Sequence, residues 1–205
     1  RASEENDIRE FLEQSAGQGA HAMLTVRPAV PLDQVTAGAA AAFAGEVRRM
    51  QGDFKGQLLI RFAPDMNTSW VEWGQQPGDY REAFRVFIAG IRRGGTLVAC
   101  ADDAGSAALA SEALISLAGR TVRTYGTSER AYWRVAGLTD RVSIRGERGP
   151  EVSFEPAVPG HHNVLNAAAA LAGAAAVGAE PRRAALGLST FHGTARRLEE
   201  LGSAA

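Results

Sequence analysis

The sequence contains one cysteine, Cys100, and one lysine, Lys55, among its 205 residues. A single cysteine excludes an internal disulfide bond and any zinc site built from several cysteines. Cys100 ends the apolar run TLVAC, so we expect it to be a buried structural thiol. A single lysine leaves one candidate for any mechanism that requires a lysine side chain.

Excess charge and long apolar segments are also missing. The formal net charge is −1, which gives no electrostatic basis for binding nucleic acid or an anionic membrane. The longest alanine-rich run, AAAALAGAAAVGA, is too short and too weakly apolar to span a bilayer. The chain opens at Arg1 without the pattern of a signal peptide, so we expect a cytoplasmic protein. No pattern indicates an oligomeric state.

Strand and helix patterns alternate through the first 126 residues. The predicted strands are AHAMLTVRP, GQLLIRFAP, TLVACADD and RTVRTYG. The segment before the third strand predicts an amphipathic helix over 79–93, whose apolar stripe is Tyr80, Phe84, Phe87, Ile88 and Ile91. Strands joined by helices in this way favour a sheet of four parallel strands.

After Gly126 the pattern changes to short alternating segments. AYWRV, RVSIR and EVSFE predict an antiparallel hairpin with a neighbouring strand. Two helices follow, and Glu180 and Pro181 suit the first turn of the second. We therefore predict a single three-layer α/β domain over residues 1–205. Its mostly parallel sheet is flanked by helices and extended by the antiparallel hairpin.

A polar and aromatic segment, RFAPDMNTSWVEWGQQP, follows the second predicted strand. Together with GAHAMLTVRPAVPLDQVTAG it makes residues 11–88 resemble β-mannanase-type glycoside hydrolases of family twenty-six. The resemblance implies Asp65 as general acid/base, with Asn67, Trp70 and Trp73 lining a site for an oligosaccharide. A secreted location would accompany this function.

The glycosidase hypothesis has a structural alternative. A retaining glycosidase needs a second carboxylate about 5–5.5 Å from the first, and the resemblance supplies only Asp65. Asp65 and Asn67 can instead form a turn, while Trp70 and Trp73 cover the edge of the sheet.

The second half of the chain combines GGTLVACADD, TVRTYG and VPGHHNVLNAAAALAG with F-x-G-x-x-R-R-x-E. Over residues 85–202 these segments resemble the central domain of the Mur ligases, which use ATP to join an amino acid to a UDP-muramyl substrate. The resemblance implies adenine contacts at Asn163 and Asn166, with His162 beside them. An amide both donates and accepts hydrogen bonds, so it can match N6 and N7 of adenine. The alternative is that Asn163 caps its helix.

The phosphate-binding loop of those ligases has no counterpart in the sequence. A phosphate loop follows the pattern G-x-x-x-x-G-K-[ST], in which the backbone and the lysine hold phosphate and the hydroxyl serves Mg²⁺. Lys55 lies in GDFKGQ, without the glycine spacing or the following hydroxyl. We therefore expect weak binding of ATP rather than complete ligase activity.

Several further polar residues fit more than one role. Asp102 and Asp103 end a strand and precede a helix, a place that suits a ligand crevice or a helix N-cap equally well. We expect no metal site at His161, His162 and His192, because no carboxylate or cysteine stands at ligand spacing from them.

The two resemblances meet in one helix, since its aromatic and apolar pattern fits both families. We therefore predict a chimera with a seam near 79–95, in which residues 1–88 are glycosidase-like and residues 89–205 are Mur-ligase-like. Three hypotheses remain open for the function. They are a nucleotide-binding Mur-ligase domain, a protein that binds or cleaves β-linked sugars, and a folded scaffold without catalysis.

Overall fold

The computed structural model describes residues 2–52, 54–90, 94–116, 119–137, 141–147, 149 and 151–192. The chain divides into two compact units. The first comprises Arg1–Gly95 with Ser116–Arg120, and the second comprises Thr96–Ile115 with Thr121–Ala205. Helices flank parallel and mixed sheets, which confirms the predicted α/β class. None of the described helices is long and apolar enough to cross a membrane.

The first unit is built on two parallel strands. Its elements are helix α1 (Ala2–Gly17), strand β1 (Ala22–Val26), a 3-10 helix (Leu32–Gln34), α2 (Ala37–Gln51), β2 (Leu58–Phe62) and α3 (Pro77–Ala89). Strands β1 and β2 pair in parallel over their whole length. Helix α2 begins where Thr36 Oγ1 accepts a hydrogen bond from the backbone N–H of Ala39 at 3.2 Å.

The apolar stripe of α3 forms the core of this unit. The ring of Phe87 stacks on that of Phe62 in β2, with 4.4 Å between the centroids. Tyr80 packs against the same cluster and donates its hydroxyl hydrogen to Phe62 O at 3.2 Å. Pro77 at the first helical position suits the start of α3, because its missing N–H would have no partner there. Ile91 of the predicted stripe lies outside the described residues.

The second unit contains a mixed sheet. Its elements are β3 (Thr96–Cys100), α4 (Ala104–Ser116), β4 (Thr121–Gly126), β5 (Trp133–Ala136), β6 (Val142–Gly146), β7 (Glu151–Phe154), α5 (His161–Ala176) and α6 (Pro181–Ser189). The strand order is β3-β4-β5-β6-β7. The first three strands run parallel, and β5–β6 and β6–β7 are antiparallel, so the predicted hairpin and its neighbouring strand are confirmed.

Helix α5 covers this sheet through one apolar face. Val164, Ala168, Leu171 and Ala172 are buried at helical spacing, and α5 contacts β3, β4 and β5. The alanines let the helix approach the strands closely. Helix α6 packs against α5 and β7, and Glu180 caps its start by accepting hydrogen bonds from two backbone N–H groups.

The two faces of the β6–β7 hairpin differ in polarity. Val142, Ile144, Val152 and Phe154 are buried on one face. On the other face Glu151 accepts hydrogen bonds from Ser143 Oγ and from Arg145, whose Nε lies 3.0 Å from Oε2. The alternation predicted from the sequence therefore places apolar side chains inward and polar side chains outward.

The four strands expected in one parallel sheet divide between two sheets. Strand β2 pairs with β1, and β3 pairs with β4. Helix α3 joins β2 to β3 as the pattern predicted, but alternation of strands and helices does not determine which strands pair. The single domain over residues 1–205, with a seam near 79–95, stays a prediction.

Candidate functional site

The residues predicted to contact adenine lie in the first two turns of α5. His162 and Asn166 are exposed, and Asn163 is half-buried. The N-cap of α5 is Gly160, which has φ 109° and makes no side-chain capping hydrogen bond. The interpretation of Asn163 as the cap of this helix is therefore wrong.

The carboxamide of Asn163 is held by the chain that enters the helix. Its Nδ2 donates a hydrogen bond to Pro159 O at 2.7 Å. Because only the nitrogen of an amide donates, this bond fixes the orientation of the side chain. It uses one of the four hydrogen bonds that the amide can form. Asn166 lies three residues further on and therefore on the same face of α5.

Glycine at position 160 lets two side chains approach the start of α5. A Cβ at this position would lie 3.1 Å from Cε1 of His162 and 3.8 Å from Nδ2 of Asn163. The positive φ also favours glycine, since other residues adopt it with strain. The imidazole of His162 and the amide of Asn163 thus lie beside the same turn.

Asp102 joins the segments that follow β3 and β4. Its Oδ2 accepts hydrogen bonds from the backbone N–H of Thr127 at 2.7 Å and from Thr127 Oγ1 at 3.0 Å. Its Oδ1 accepts one from the backbone N–H of Ser128 at 2.9 Å. We call this arrangement the Asp102 latch. It fixes the carboxyl ends of two neighbouring parallel strands relative to each other.

The Asp102 carboxylate is charged at neutral pH. Burial raises the pKa of Asp102, but the hydrogen bonds from Thr127 and Ser128 and the attraction to His161 lower it by more. The pKa therefore lies below its ordinary value. His161 is the first residue of α5, so the latch lies within electrostatic range of the helix that carries the predicted adenine contacts.

Asp103 has a different role from its neighbour. Its Oδ1 accepts a hydrogen bond from the backbone N–H of Ser106 at 2.7 Å, in the first turn of α4. The N-cap interpretation is confirmed for Asp103, whereas Asp102 forms the latch.

Inside the sheet, burial raises the pKa of Tyr125 to about 12, helped by its contact with Cys100. Cys100 is half-buried, in partial agreement with the buried thiol expected.

The three histidines at which no metal site was expected are exposed. His161 and His162 lie at the start of α5, and His192 follows α6. Within the described ranges, no group of three or more His, Cys, Asp or Glu side chains is arranged to hold a metal ion.

The residues of the glycosidase hypothesis lie in the loop between β2 and α3. Ala63, Asp65 and Gln75 adopt positive φ values of 41°, 62° and 57°, which are strained for residues other than glycine. The carboxylate of Asp65 forms an ion pair with Arg61 at 3.7 Å. The carbonyl oxygen of Asp65 accepts hydrogen bonds from the N–H and Oγ1 of Thr68, at 3.0 and 2.8 Å. Asp65 therefore begins a turn as expected, but the residue that closes the turn is Thr68 instead of Asn67.

The two tryptophans of this loop have different environments. Trp73 packs against the core of the first unit and donates its Nε1 hydrogen to Pro64 O at 2.6 Å. Trp70 is 77% exposed, and Asn67 is exposed as well. Only Trp73 therefore fits the interpretation that both rings cover the sheet.

A further cavity of about 500 Å³ lies between β7 and α6, away from every residue predicted to bind a ligand. Its lining combines arginine and glutamate side chains, Arg141, Glu151, Glu155 and Arg182, with the apolar Phe154 and Leu186. Because the two kinds of charge are present in equal number, the cavity has no clear preference for an anion or a cation.

Comparison with known families identifies the middle of the chain. The family model described as the Mur ligase middle domain matches residues 72–174. The chain belongs to the Mur ligase family. The match crosses the predicted seam near 79–95 without interruption.

Two relatives carry the same assignment. The UDP-N-acetylmuramate–L-alanine ligase of Kineococcus radiotolerans is 44% identical over 129 residues, which cover 62% of this chain and 27% of the relative. The ligase of the same name from Paenarthrobacter aurescens is 36% identical over 167 residues, 80% of this chain and 36% of the relative. The chain thus spans about a third or less of the length of these relatives.

Solved Mur ligases share the fold. The murein peptide ligase of Psychrobacter arcticus matches 95% of this chain and 52% of its own, with a TM-score of 0.55 and 14% identity. The UDP-N-acetylmuramate:L-alanyl-γ-D-glutamyl-meso-diaminopimelate ligase of Neisseria meningitides matches 92% of this chain and 71% of its own, with a TM-score of 0.52 and 14% identity.

The comparisons support the Mur-ligase part of the sequence analysis and give no support to a glycoside-hydrolase segment or a chimera. Residues 89–205 are too few to contain an alignment of 167 residues, so the similarity to the Paenarthrobacter ligase extends into residues 1–88. The family model likewise begins at residue 72, inside the segment predicted to be glycosidase-like.

Proposed function

We propose that this Mur-ligase domain binds the adenine of a nucleotide such as ATP at the start of α5, through Asn163, Asn166 and His162. The observation that carries the proposal is the hydrogen bond from Asn163 Nδ2 to Pro159 O at 2.7 Å. It holds the amide in one orientation before any ligand arrives. A preorganised group binds more tightly, because less freedom is lost on binding.

The fixed amide suits adenine better than guanine. Adenine presents a donor at N6 beside an acceptor at N7, and an amide matches this pair with its oxygen and one N–H. Guanine presents acceptors at both O6 and N7, so the amide oxygen of Asn163 would face a second acceptor. Rotation of the amide would not relieve this mismatch, because its oxygen would then face the acceptor N7, and it would also break the bond to Pro159 O.

The neighbouring side chains extend this site. Asn166 is exposed on the same face of α5 and can contact the base or the sugar, and the imidazole of His162 can stack on the base. No phosphate loop of the G-x-x-x-x-G-K-[ST] type occurs in the sequence. We therefore propose base recognition without phosphoryl transfer by this chain.

The activity of a whole ligase is a separate proposal, because the chain spans only 27% and 36% of the two relatives. In the setting of a complete Mur ligase, this domain would contribute the adenine contacts while other segments supply phosphate and substrate contacts. A cytoplasmic location belongs to the same proposal.

Calorimetric titration with ATP tests base recognition. We expect weak but measurable binding, with the affinity lowered about tenfold in Asn163→Ala, since a paired base contact contributes about 1–3 kcal/mol. Asn166→Ala is expected to weaken binding in the same direction. Asn67→Ala is the matched control, because it removes an exposed amide from the first unit and is expected to leave the affinity unchanged. Equal affinities of Asn163→Ala and the unmodified protein would contradict the proposal.

A second candidate function is sugar binding at the loop between β2 and α3, with Asp65, Asn67 and Trp70 as the contacts. Two features of the loop itself support this candidate. Three residues of the loop have strained backbone conformations, which concentrate at functional sites, and an indole is presented with 77% exposure. Trp73 would hold the loop in place through its hydrogen bond to Pro64 O. Cleavage of the sugar is not part of this proposal, since a second carboxylate is required.

Titration with mannooligosaccharides separates the two candidates. Binding that is lost in Trp70→Ala would support the sugar site, and Phe11→Ala is the matched control because Phe11 is an exposed aromatic residue of α1. No binding of the sugar at millimolar concentration would exclude the second candidate.

A further inference from the structure

The carboxyl ends of β3 and β4 are held together by a contact that allows little variation. The carboxylate of Asp102 accepts three hydrogen bonds from Thr127 and Ser128, and it lies against Gly126. A Cβ on Gly126 would be 2.5 Å from Asp102 Oδ1 and 2.8 Å from Oδ2. The latch thus needs both a carboxylate at 102 and a glycine at 126.

The latch lies next to the helix that carries the proposed adenine contacts. Helix α5 contacts both β3 and β4, the two strands whose ends the latch joins. Tyr125, the residue before Gly126, packs against the core cluster that contains Val164 from the first turn of α5. His161, the first residue of α5, interacts electrostatically with Asp102. A change in the spacing of the strand ends would therefore reach the first turn of α5 directly.

We infer that Asp102 is a positioning residue for base selection: by fixing the ends of β3 and β4, the strands on which α5 packs, it sets the position of the first turn of α5 and of Asn163, and thereby the preference for adenine over guanine. This inference rests on the proposed adenine site. Asp102 acts through the backbone of residues 126–128 and through the seating of α5, without touching the base.

Stabilisation of the fold by Asp102 and positioning of Asn163 by Asp102 predict different changes in nucleotide affinity. If the latch only stabilised the fold, its loss would reduce the folded fraction of the protein. The apparent affinities for all nucleotides would then fall by the same factor. If it positions Asn163, its loss lowers the ratio of ATP affinity to GTP affinity in the protein that remains folded. The ratio therefore distinguishes positioning from stabilisation.

The test is calorimetric titration of the full chain with ATP and with GTP. We expect the unmodified protein to prefer ATP by about tenfold, and Asp102→Ala to prefer it by less than about threefold. Asp102→Asn should give an intermediate ratio, because its amide oxygen can still accept the two hydrogen bonds of Thr127. Gly126→Ala should lower the ratio with the carboxylate still present, because the added methyl group displaces it.

Asp103→Ala is the matched control. It removes the adjacent carboxylate and the cap of α4 but leaves the latch in place, so we expect a loss of stability with an unchanged ratio. Thr127→Val provides a milder break, since it removes only the hydroxyl hydrogen bond to Asp102. It keeps the test decisive if the stronger variants do not fold, and it should lower the ratio by a smaller amount.

The outcomes separate this inference from the function on which it rests. If ATP binding depends on Asn163 and the latch variants keep the ratio of the unmodified protein, the inference is wrong and the adenine site stands. If the unmodified protein binds neither nucleotide, the adenine site is wrong and the inference falls with it.

Discussion

The carboxylate of Asp102 lies so close to Gly126 that a Cβ there would be only 2.5 Å from Oδ1. The two residues meet because β3 and β4 pair in parallel with Cys100 opposite Tyr125, which brings the carboxyl ends of the two strands side by side. Gly126 also has φ 146°, a conformation that other residues rarely adopt. Sterics and backbone conformation therefore specify glycine independently.

The first prediction concerns this glycine. Gly126→Ala should lower the free energy of unfolding by about 1–3 kcal/mol, because the methyl group meets the carboxylate and the backbone becomes strained. Gly187→Ala is the control, since Gly187 lies inside α6 with open space around it. There alanine should stabilise by about 0.5–1 kcal/mol. Urea denaturation of both variants measures the two effects, and equal effects would contradict the structure of the latch.

The second prediction concerns the pH dependence of stability. In the unfolded chain an aspartate titrates near its ordinary pKa of about 3.9, and in the folded chain the pKa of Asp102 is lower. The stabilisation contributed by the charged carboxylate is therefore complete above the unfolded pKa and is lost as the pH falls through the folded one. Asp102→Asn has no titrating group at this position. The excess stability of the unmodified protein over Asp102→Asn should shrink on acidification below about pH 4.

Urea denaturation across the pH series measures this difference. The difference should reach its full size once the pH is about two units above the ordinary aspartate pKa, because Asp102 is then ionised in both the folded and the unfolded chain. A difference that grows on acidification would show that the charged form of Asp102 is the less favourable one in the folded protein.

The third prediction compares the two tryptophans of the loop after β2. Trp73→Phe removes the hydrogen bond to Pro64 O and should lower the free energy of unfolding by about 1 kcal/mol. Trp70→Phe changes a ring that is 77% exposed, so its effect should stay within about 0.5 kcal/mol. Chemical denaturation followed by circular dichroism avoids reliance on tryptophan fluorescence. A larger effect at Trp70 would mean that its ring is covered in solution.

The fourth prediction tests the core under α5. Leu171 is 0% exposed, and Leu171→Ala should lower the free energy of unfolding by about 2–5 kcal/mol through lost burial and the cavity that remains. Leu186 on α6 is 69% exposed, and the same substitution there should cost less than about 0.5 kcal/mol. Thermal denaturation of both variants provides the comparison. Similar losses at the two positions would place α5 differently on the sheet.

The sequence predicts the local elements of this protein well, because apolar periodicity is a local property. The strands and helices expected from AHAMLTVRP to EVSFE all occur, and Glu180 and Pro181 open α6 as predicted. Pairing between strands was predicted less well. The apolar runs that become β2 and β3 look alike in sequence, yet they join different sheets, since pairing depends on tertiary contacts that a single run does not encode.

The predicted adenine site and the Asp102 latch show the same limit, because their hydrogen-bond partners were not predicted from the sequence. Adenine contacts at Asn163 and Asn166 are implied by the resemblance and stay a prediction, and the structure adds that Asn163 is hydrogen-bonded to Pro159 O. The Asp102 latch was missed as such, because its partners follow a different strand. Parallel pairing of β3 and β4 was expected, however, and it implies that the residues after these strands meet. That signal could have suggested a hydrogen-bond partner for Asp102 beyond its own helix.

The unequal faces of the β6–β7 hairpin have a consequence for how this part of the chain tolerates change. A shift of one residue in pairing would turn Val142, Ile144, Val152 and Phe154 toward water and drive Arg145 and Glu151 into an apolar interior. A hairpin paired in the wrong register is therefore disfavoured by the exposure of apolar side chains and the burial of charged ones, whatever residues connect the two strands. Substitutions within the two strands that keep this alternation of apolar and polar residues are consequently expected to keep the pairing.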